Sequence, residues 1–486
     1  MICISVTPTS RQLAKVDILN AARQCDIVEV CLDHLVKEPD VKDLLDGAKK
    51  PILISCRRRE DGGEFEGTEE ERLLLLRQAI LAGPAYIELD IDTAHKIPRF
   101  GKVQRVVSHT SLNRPLGADI EEIFDQAVAA KADVIKFTWP TQTLESAWPL
   151  LAAVSQKRAL PVVGLGLGRC GLTFSLLGRK YGSPWIYAAL EKGMEAFPGQ
   201  PTVGDLDNLY RWRDVGAKTR FIGICGFGEM SLATAKVLNA AFDQLSMNTR
   251  CLPFDIKSTD QLVKMLDILK VPAIIAMPPF GRMLMKIAQQ MDETTKQTQY
   301  ADLFLKQPDG WQAYNLMGRI ALKSLEAKLG KQAAEDRPLE RRNAMVLGSD
   351  GLAQSLALGI QRRAGLVSIC AAEDEAARKA AESTGSRFVP LGKLYETLVD
   401  CVITTVQNFD LLTRKSPINP SLLRPGMAFM DLTDPPADTP LLFEARARGC
   451  KVVEPADIFA DYVIQIFKSL TGQELPPEAF AAGLQE

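Results

Sequence analysis

A lysine inside an apolar strand is the residue of this chain best suited to covalent chemistry. The stretch ADVIKFTWP, residues 132–140, has β-formers at Val134, Ile135, Phe137 and Thr138, ends at Pro140 and carries Lys136 in its middle. Strand lysines commonly sit on an exposed face or snorkel to the surface. Burial changes their chemistry: it disfavours the charged form, and a neutral amine attacks a ketone to give a Schiff base. Three more reactive side chains lie inside or just after β-rich runs: Glu29 in IVEVCL, Arg57 at the end of PILISC, and His109 after VQRVVS. An amine, an imidazole, a carboxylate and a guanidinium could together attach a carbonyl, move a proton and hold an anion or hydroxyl.

Such a set works only if the strand ends converge. Candidate strands cover 2–6, 27–32, 51–56, 85–90, 103–108, 133–138, 161–165 and 184–188, with amphipathic helical patterns such as 68–82 and 118–130 between them. Eight strands alternating with helices read as a (β/α)8 TIM barrel, whose chemistry sits at the C-terminal ends of its strands. A doubly wound open sheet is the alternative. The polar, partly helical stretch 203–219 reads as a connector, after which strands and helices alternate again. At 345–353, MVLGSDGLA runs from a strand into a glycine-rich turn and then the helical pattern QSLALGIQRRAG. This is the geometry of a Rossmann phosphate site at Gly348, Ser349, Asp350 and Gly351, with two of the three expected glycines. The expected fold class is α/β: an N-terminal barrel over 1–205, a linker over 206–219, and a two-part α/β region of 220–335 and a Rossmann-like 336–486.

The chain has 486 residues and a formal net charge of −2, a length for about two to four domains and no basic field for nucleic acid. The N-terminus MICISVTPTSRQ lacks the basic run and apolar core of a signal peptide, and no window approaches about 18 uncharged apolar residues, so no membrane span is expected. Ten cysteines are scattered without a CxxC pair, mostly in apolar runs, and the three histidines fall in the first quarter. They read as small buried hydrophobes in a reducing, cytoplasmic compartment, with no zinc or other metal site.

The motifs IVEVCLDHL (27–35), PILISCRRREDGGEFEG (51–67), VVSHTSLNRP (106–115), ADVIKFTWP (132–140), GLGRCGLTFSLLGRKYGS (166–183) and AFPGQPT (196–202) come in one order along the chain. In that order they resemble type I 3-dehydroquinate dehydratase over about residues 1–205. The resemblance implies that Lys136 forms an imine with the substrate's ring ketone. It implies that His109 removes the proton made acidic by the imine and helps the β-hydroxyl leave as water, with Glu29 near the histidine. It further implies Arg57, Asp61 and Gln200 as substrate-binding residues, a small hydroxy-keto acid as substrate, and no cofactor. Several positions depart from the pattern. Cys31 stands where the family has an arginine, Phe174 and Ser175 where it has Ser-Arg around the substrate carboxylate, Ala196 where it has serine, and Asp61 where it more often has Glu. Arg58, Arg59, Arg169 and Arg179 are the candidates for the missing carboxylate anchor.

Over about 220–480 the chain resembles shikimate dehydrogenase, through GFGEMSLATAKVLNAAF (226–242), IIAMPPFGRML (274–284), GWQAYNLMG (310–318), VLGSDGLA, DCVITT and MDLTDPPADTPLLFEARARGC (430–450). The two activities in this order are familiar from bifunctional dehydratase–dehydrogenases. The resemblance implies Ser231 as a substrate contact, with Ala233 in place of a second serine and Tyr462 in place of a late glutamine. The catalytic lysine is due around Phe280–Arg282 and the catalytic aspartate at Tyr314 or Asn315, and neither is present. NAD or NADP is the implied cofactor. Glu373, in CAAEDE (370–375), would repel a 2′-phosphate and suits a ribose hydroxyl.

Three functions compete on these residues. One is a dehydratase fused to a dehydrogenase-like domain with eroded motifs, which could also reduce 3-dehydroshikimate with NAD(P)H. One is a non-catalytic or regulatory fusion protein. One is a Schiff-base lyase or aldolase for another hydroxy-keto acid. The presence together of Lys136, His109, Glu29 and Arg57 favours the first.

Overall fold

Residues 1–37, 39–114, 119–330, 337–405 and 418–484 are described in the computed structural model. Ala118, the expected start of the helix 118–130, and Pro115, the end of VVSHTSLNRP, lie outside them. The chain divides into two units, Met1–Arg220 with Asn248–Lys257, and Phe221–Met247 with Ser258–Glu486.

The first unit is built on eight strands: β1 (Ile2–Val6), β2 (Ile27–Cys31), β3 (Ile52–Ser55), β4 (Tyr86–Asp90), β5 (Gln104–Thr110), β6 (Val134–Pro140), β7 (Val162–Leu167) and β8 (Ile186–Ala189). They pair in parallel in the order β7-β6-β5-β4-β3-β2-β1-β8. β7 touches β8 without a hydrogen-bonded ladder, which leaves a nearly closed barrel rather than an open sheet. Strands buried on both faces need continuous apolar runs, and these have them.

Side chains alternate along each strand with a period of two. Cys3, Ile27, Leu53, Val106, Val134 and Trp185 form an apolar layer inside the ring. Two residues further along the same strands, this face carries Ser5, Glu29, Ser55, Ser108, Lys136 and Tyr187. Glu88 follows Tyr86 on β4 in the same way. The barrel interior thus turns from apolar to polar toward the C-terminal strand ends, where this fold places its chemistry.

The stretch expected as a linker, 206–219, is packed into the first unit. The Trp212 indole N–H donates to the Ser175 carbonyl at 2.9 Å, and the Arg179 guanidinium lies 5.1 Å from the Trp212 ring centroid. Burying a tryptophan and Tyr210 anchors the segment despite its charged neighbours. β9 (Arg220–Cys225) then leads away, and β10 (Thr249–Phe254) lies in the segment 248–257 that rejoins the barrel. There the Leu144 amide donates to the Asp255 carbonyl at 2.8 Å and Arg250 Nε to the Tyr210 carbonyl at 3.0 Å. The barrel unit therefore extends beyond residue 205.

The second unit holds two sheets. β11 (Ala273–Ala276), β12 (Ala288–Gln290), β13 (Leu303–Gln307) and β14 (Gly310–Tyr314) join β9 in the order β9-β11-β13-β14-β12, with parallel and antiparallel pairs. β15 (Asn343–Leu347), β16 (Leu366–Cys370), β17 (Arg387–Phe388), β18 (Cys401–Thr404), β19 (Ala428–Asp431) and β20 (Lys451–Val453) form an all-parallel sheet in the order β17-β16-β15-β18-β19-β20. Counted in chain order, that is the doubly wound arrangement of a dinucleotide-binding domain. The late helix Pro455–Thr471 packs on the helix Leu316–Leu329, so the C-terminal residues return to the first half of the unit. Among the described residues no helix is long and apolar enough to cross a membrane, and no cluster of side chains could hold a metal ion.

Candidate active site

Lys136 is 1% exposed, on the interior face of β6. Its Nζ lies 2.7 Å from Glu88 Oε2 and 4.4 Å from the centroid of the Tyr187 ring. Desolvating such a pair is costly, and its geometry must repay the cost. The aromatic face adds a cation–π attraction where water is excluded. The strand lysine therefore does not snorkel; it is held inside the barrel by a carboxylate and a ring. Glu88 was absent from the sequence-based set. Its signal was a carboxylate sharing the face of Tyr86 in a strand buried on both sides, because a buried acid requires a partner.

Glu29 is wholly buried. The Ser5 hydroxyl donates to its Oε2, and Arg57 Nη1 stands 3.6 Å from its Oε1. Burial alone would raise the Glu29 carboxyl, but Arg57 and then Lys136 outweigh it and hold the group well below the usual carboxylate range. Glu29 is thus a fixed anion beside the lysine. Arg57 donates through Nη2 to Cys31 Sγ at 3.0 Å and lies 4.6 Å from the Phe197 ring centroid. Among the described residues, Arg57 Nε and Nη1 and Glu29 Oε1 have no hydrogen-bond partner. The loop behind Arg57 is pinned by Asp33, whose carboxylate accepts from the Arg57 and Glu64 amides at 3.2 and 3.1 Å. Gly62 closes that loop at φ +79°, and a Cβ there would stand 2.5 Å from the Phe197 ring, so only glycine fits.

Asp61 accepts from Arg58 Nε at 2.7 Å, and burial raises its carboxyl against the pull of Arg58. Gln200 Oε1 accepts from the Ala196 and Phe197 amides at 2.9 and 3.3 Å and so staples the 196–200 turn, while its Nε2 is buried without a hydrogen-bond partner among the described residues. His109 lies on β5, next to β6 as expected, but Ser108 is the residue in register with Lys136. His109 has the opposite parity and is half-buried near the strand end. Burial lowers its imidazole below the ordinary value, opposed by the fields of Asp61, Asp92 and Asp119. Glu29, expected near the histidine, is instead held by Ser5 and Arg57.

The carboxylate anchor is not at its expected place. Phe174 and Ser175 are buried in the helix Gly171–Tyr181, where the Ser175 hydroxyl donates to the Gly171 carbonyl at 3.0 Å and Phe174 packs on Gly164. Arg59 pairs with Glu66 at the surface, Arg179 stacks on Trp212, Arg169 pairs with Asp255 at 3.3 Å, and Arg58 is shared by Glu60, Asp61 and Asp90. Arg57 keeps two donors without a hydrogen-bond partner among the described residues.

In the second unit, the Ser231 hydroxyl is buried beside Gly226 without a hydrogen-bond partner among the described residues. Arg282 lies in the short helix Phe280–Leu284. Asn315 is committed twice, its Oδ1 accepting from the Gly318 amide at 2.9 Å and its Nδ2 donating to Ser355 Oγ at 2.8 Å. Tyr314 ends β14, and Tyr462 is buried in the late helix. Gly348, Ser349, Asp350 and Gly351 link β15 to the helix Gly351–Gln361, and Glu373 is exposed just past β16, at the N-cap of the helix Asp374–Thr384.

Residues 2–217 match the family model for type I 3-dehydroquinase. The chain is 25% identical over 480 residues to a bifunctional 3-dehydroquinate dehydratase/shikimate dehydrogenase of Arabidopsis thaliana, described as chloroplastic, covering 94% of this chain and 79% of that protein. It is 27% identical over 223 residues to a 3-dehydroquinate dehydratase of Methanocaldococcus jannaschii, covering 44% of this chain and all of that protein. Among solved structures, a shikimate dehydrogenase from Aquifex aeolicus aligns with 56% of this chain and 99% of its own, at 20% identity and a TM-score of 0.48. On its motifs, its barrel and the family match, the segment 2–217 is a type I 3-dehydroquinase domain.

Proposed function

We propose that the first unit dehydrates 3-dehydroquinate to 3-dehydroshikimate through a Schiff base on Lys136, in one chain with a shikimate dehydrogenase-like unit whose catalytic motifs are eroded. The observation that carries this reading is the buried Lys136–Glu88 pair under Tyr187. In the reaction Glu88 takes a proton from the lysine, the free amine adds to the ring ketone, and water leaves as the imine forms. The protonated imine is an electron sink that acidifies the neighbouring C–H. His109 removes that proton from the mouth of the barrel and returns it to the departing β-hydroxyl, which leaves as water. Hydrolysis of the imine consumes one water, frees Lys136 and gives a net loss of one water. Glu29 balances the positive charge of the imine. Arg57 Nε and Nη1 and Gln200 Nε2, donors with no hydrogen-bond partner among the described residues, suit the carboxylate and hydroxyls of a small polyhydroxy acid. This chemistry needs no cofactor. The ten thiols, nine of them buried, suit a reducing, cytoplasmic setting.

The direct test is borohydride reduction in the presence of 3-dehydroquinate: a substrate adduct should map to Lys136. An intact, folded protein that forms no adduct and releases no enone from 3-dehydroquinate overturns the reading. A second reading, a Schiff-base lyase for a different hydroxy-keto acid, is favoured by Cys31 and by Phe174 and Ser175, which leave two familiar arginine positions without charge. It predicts adducts with other keto acids and none with 3-dehydroquinate.

Two further outcomes follow from the geometry. Glu88→Gln should still be trapped at Lys136 but turn over roughly 10²-fold more slowly, because the nearest proton acceptor is lost while the amine remains; an unchanged turnover number would remove Glu88 from the chemistry. His109 acts as a base only when neutral. Its value is depressed below 6.5 by burial, so the base form prevails at pH 7 and is lost as the pH falls below that value. An acid limb of kcat should therefore lie below pH 6.5, and His109→Ala should abolish that limb and slow dehydration by about 10²-fold or more with trapping intact. If the limb persists in the variant, the histidine is not the base.

A further inference from the structure

We infer that the second unit does not hold a dinucleotide: the Asp350 carboxylate takes the pyrophosphate's seat in an otherwise regular Rossmann sheet. The inference is independent of the dehydratase reading. It starts from the sheet order, which is that of a dinucleotide-binding domain, with β15 as its first strand. In such a domain the pyrophosphate lies on the amides at the start of the first helix, and the middle glycine of the turn lets the backbone approach it closely.

Each part of that seat is otherwise engaged here. Asp350 stands at the middle glycine position and is the N-cap of the helix Gly351–Gln361. Its Oδ1 accepts from the Ala353 amide at 2.7 Å and from the Thr405 hydroxyl at 3.2 Å, and the Leu352 amide is a further donor to the carboxylate. A carboxylate is the natural ligand of a helix N-terminus, and this one is supplied by the chain. The Ser349 carbonyl accepts from Gln354 Nε2 at 3.1 Å, which ties the turn down onto its own helix. Gly351 does make a close approach, but to protein: a Cβ there would lie 2.4 Å from Tyr300 Cβ. Glu373 stands just past β16, where an acid that binds the ribose belongs, so the sugar end of the motif persists while its phosphate end is closed. A pyrophosphate would have to displace Asp350 from two amides and a hydroxyl and then remain beside its charge. Burial raises the Asp350 carboxyl above its ordinary value, opposed by these hydrogen bonds and by the field of Arg282.

The test is titration of the full-length protein with NADH and NADPH, followed by nucleotide fluorescence and by calorimetry, for the wild type, Asp350→Ser and Asp350→Asn. Serine and asparagine are both good N-caps, so the helix keeps its first hydrogen bond while the charge is removed. Thermal unfolding identifies which variants are folded, and either one suffices. The wild type should not saturate below about 1 mM, and a folded variant should bind roughly a hundredfold more tightly, as expected when a like charge is removed from a phosphate contact. Micromolar binding by the wild type overturns the inference. So does a gain of less than about tenfold in a folded variant, because the exclusion would then not reside in the carboxylate.

Discussion

Lys136→Met should lose borohydride trapping altogether and lower the turnover number by on the order of 10⁴-fold or more, the scale set by removing a nucleophile that acts as part of a unit. The single variant carries a confounding cost. Removing the ammonium leaves Glu88, 4% exposed, as an uncompensated buried carboxylate, and breaking a buried pair from one side destabilises by about 3–5 kcal/mol. A loss of activity could then reflect unfolding. The double variant Lys136→Met/Glu88→Gln separates the two effects, because it removes both charges and leaves a neutral amide under Tyr187. It should recover most of the lost stability in thermal or urea unfolding and remain as inactive as the single variant. Dehydration within tenfold of wild type by either folded protein would mean that no covalent step passes through Lys136. Recovery of stability without recovery of activity is the pattern that assigns Lys136 to chemistry and the pairing with Glu88 to both chemistry and fold.

The barrel is legible because strands buried on both faces must be apolar throughout, and a polar side chain inside such a run stands out. Lys136 and Glu29 are interruptions of that kind. Glu88 is equally interior, yet it sits in YIELDIDT, where Asp90 and Asp92 make an acid look ordinary. Only the alternation of β4 puts it on the face of Tyr86, inside the ring, where its carboxylate meets the lysine. His109 shows the converse. Its type and its place at a strand end point to a site, but its parity is opposite to that of Lys136, and parity at a strand end depends on where the ladder stops. The segment 206–219 looks like a linker because it is rich in charged and polar residues; its anchoring rests on the buried Tyr210 and on Trp212, whose partners on the helix Gly171–Tyr181 are far away in sequence. Nothing local marks 248–257 as part of the barrel unit, since a returning strand is a tertiary event. Asp350 is visible in the sequence as the odd residue of a glycine turn. That it caps the helix becomes apparent only from the Ala353 amide and Thr405.

Oxidation of shikimate by the full-length chain with NAD or NADP should be at least about a thousandfold slower than by an ordinary shikimate dehydrogenase. As hydride leaves the carbinol carbon, the hydroxyl proton must leave too, and a positioned acid–base group is worth about 10²–10⁴ in rate. The segment where the lysine was expected offers Arg282, whose guanidinium does not deprotonate in proteins. The segment where the aspartate was expected ends in Tyr314 and Asn315, and both polar ends of the Asn315 amide are already bonded, to the Gly318 amide and to Ser355. The carboxylate close by in the fold is Asp302, pushed up to about 7 by burial. Its strength would suit a base, but its two oxygens accept from the Leu316 and Met317 amides at 2.9 and 2.8 Å, so it secures the start of the helix Leu316–Leu329. Substrate orientation suffers as well, with Ala233 in place of one of two serines, and misplacement of a reacting group adds to the barrier. The defect in proton handling is separate from the defect in nucleotide binding. Asp350→Ser should therefore gain NADH binding and still fail to oxidise shikimate or to reduce 3-dehydroshikimate, as followed by absorbance of the reduced nicotinamide. Robust turnover by the wild type, or by the variant once it binds nucleotide, would show that other side chains of this unit carry the proton.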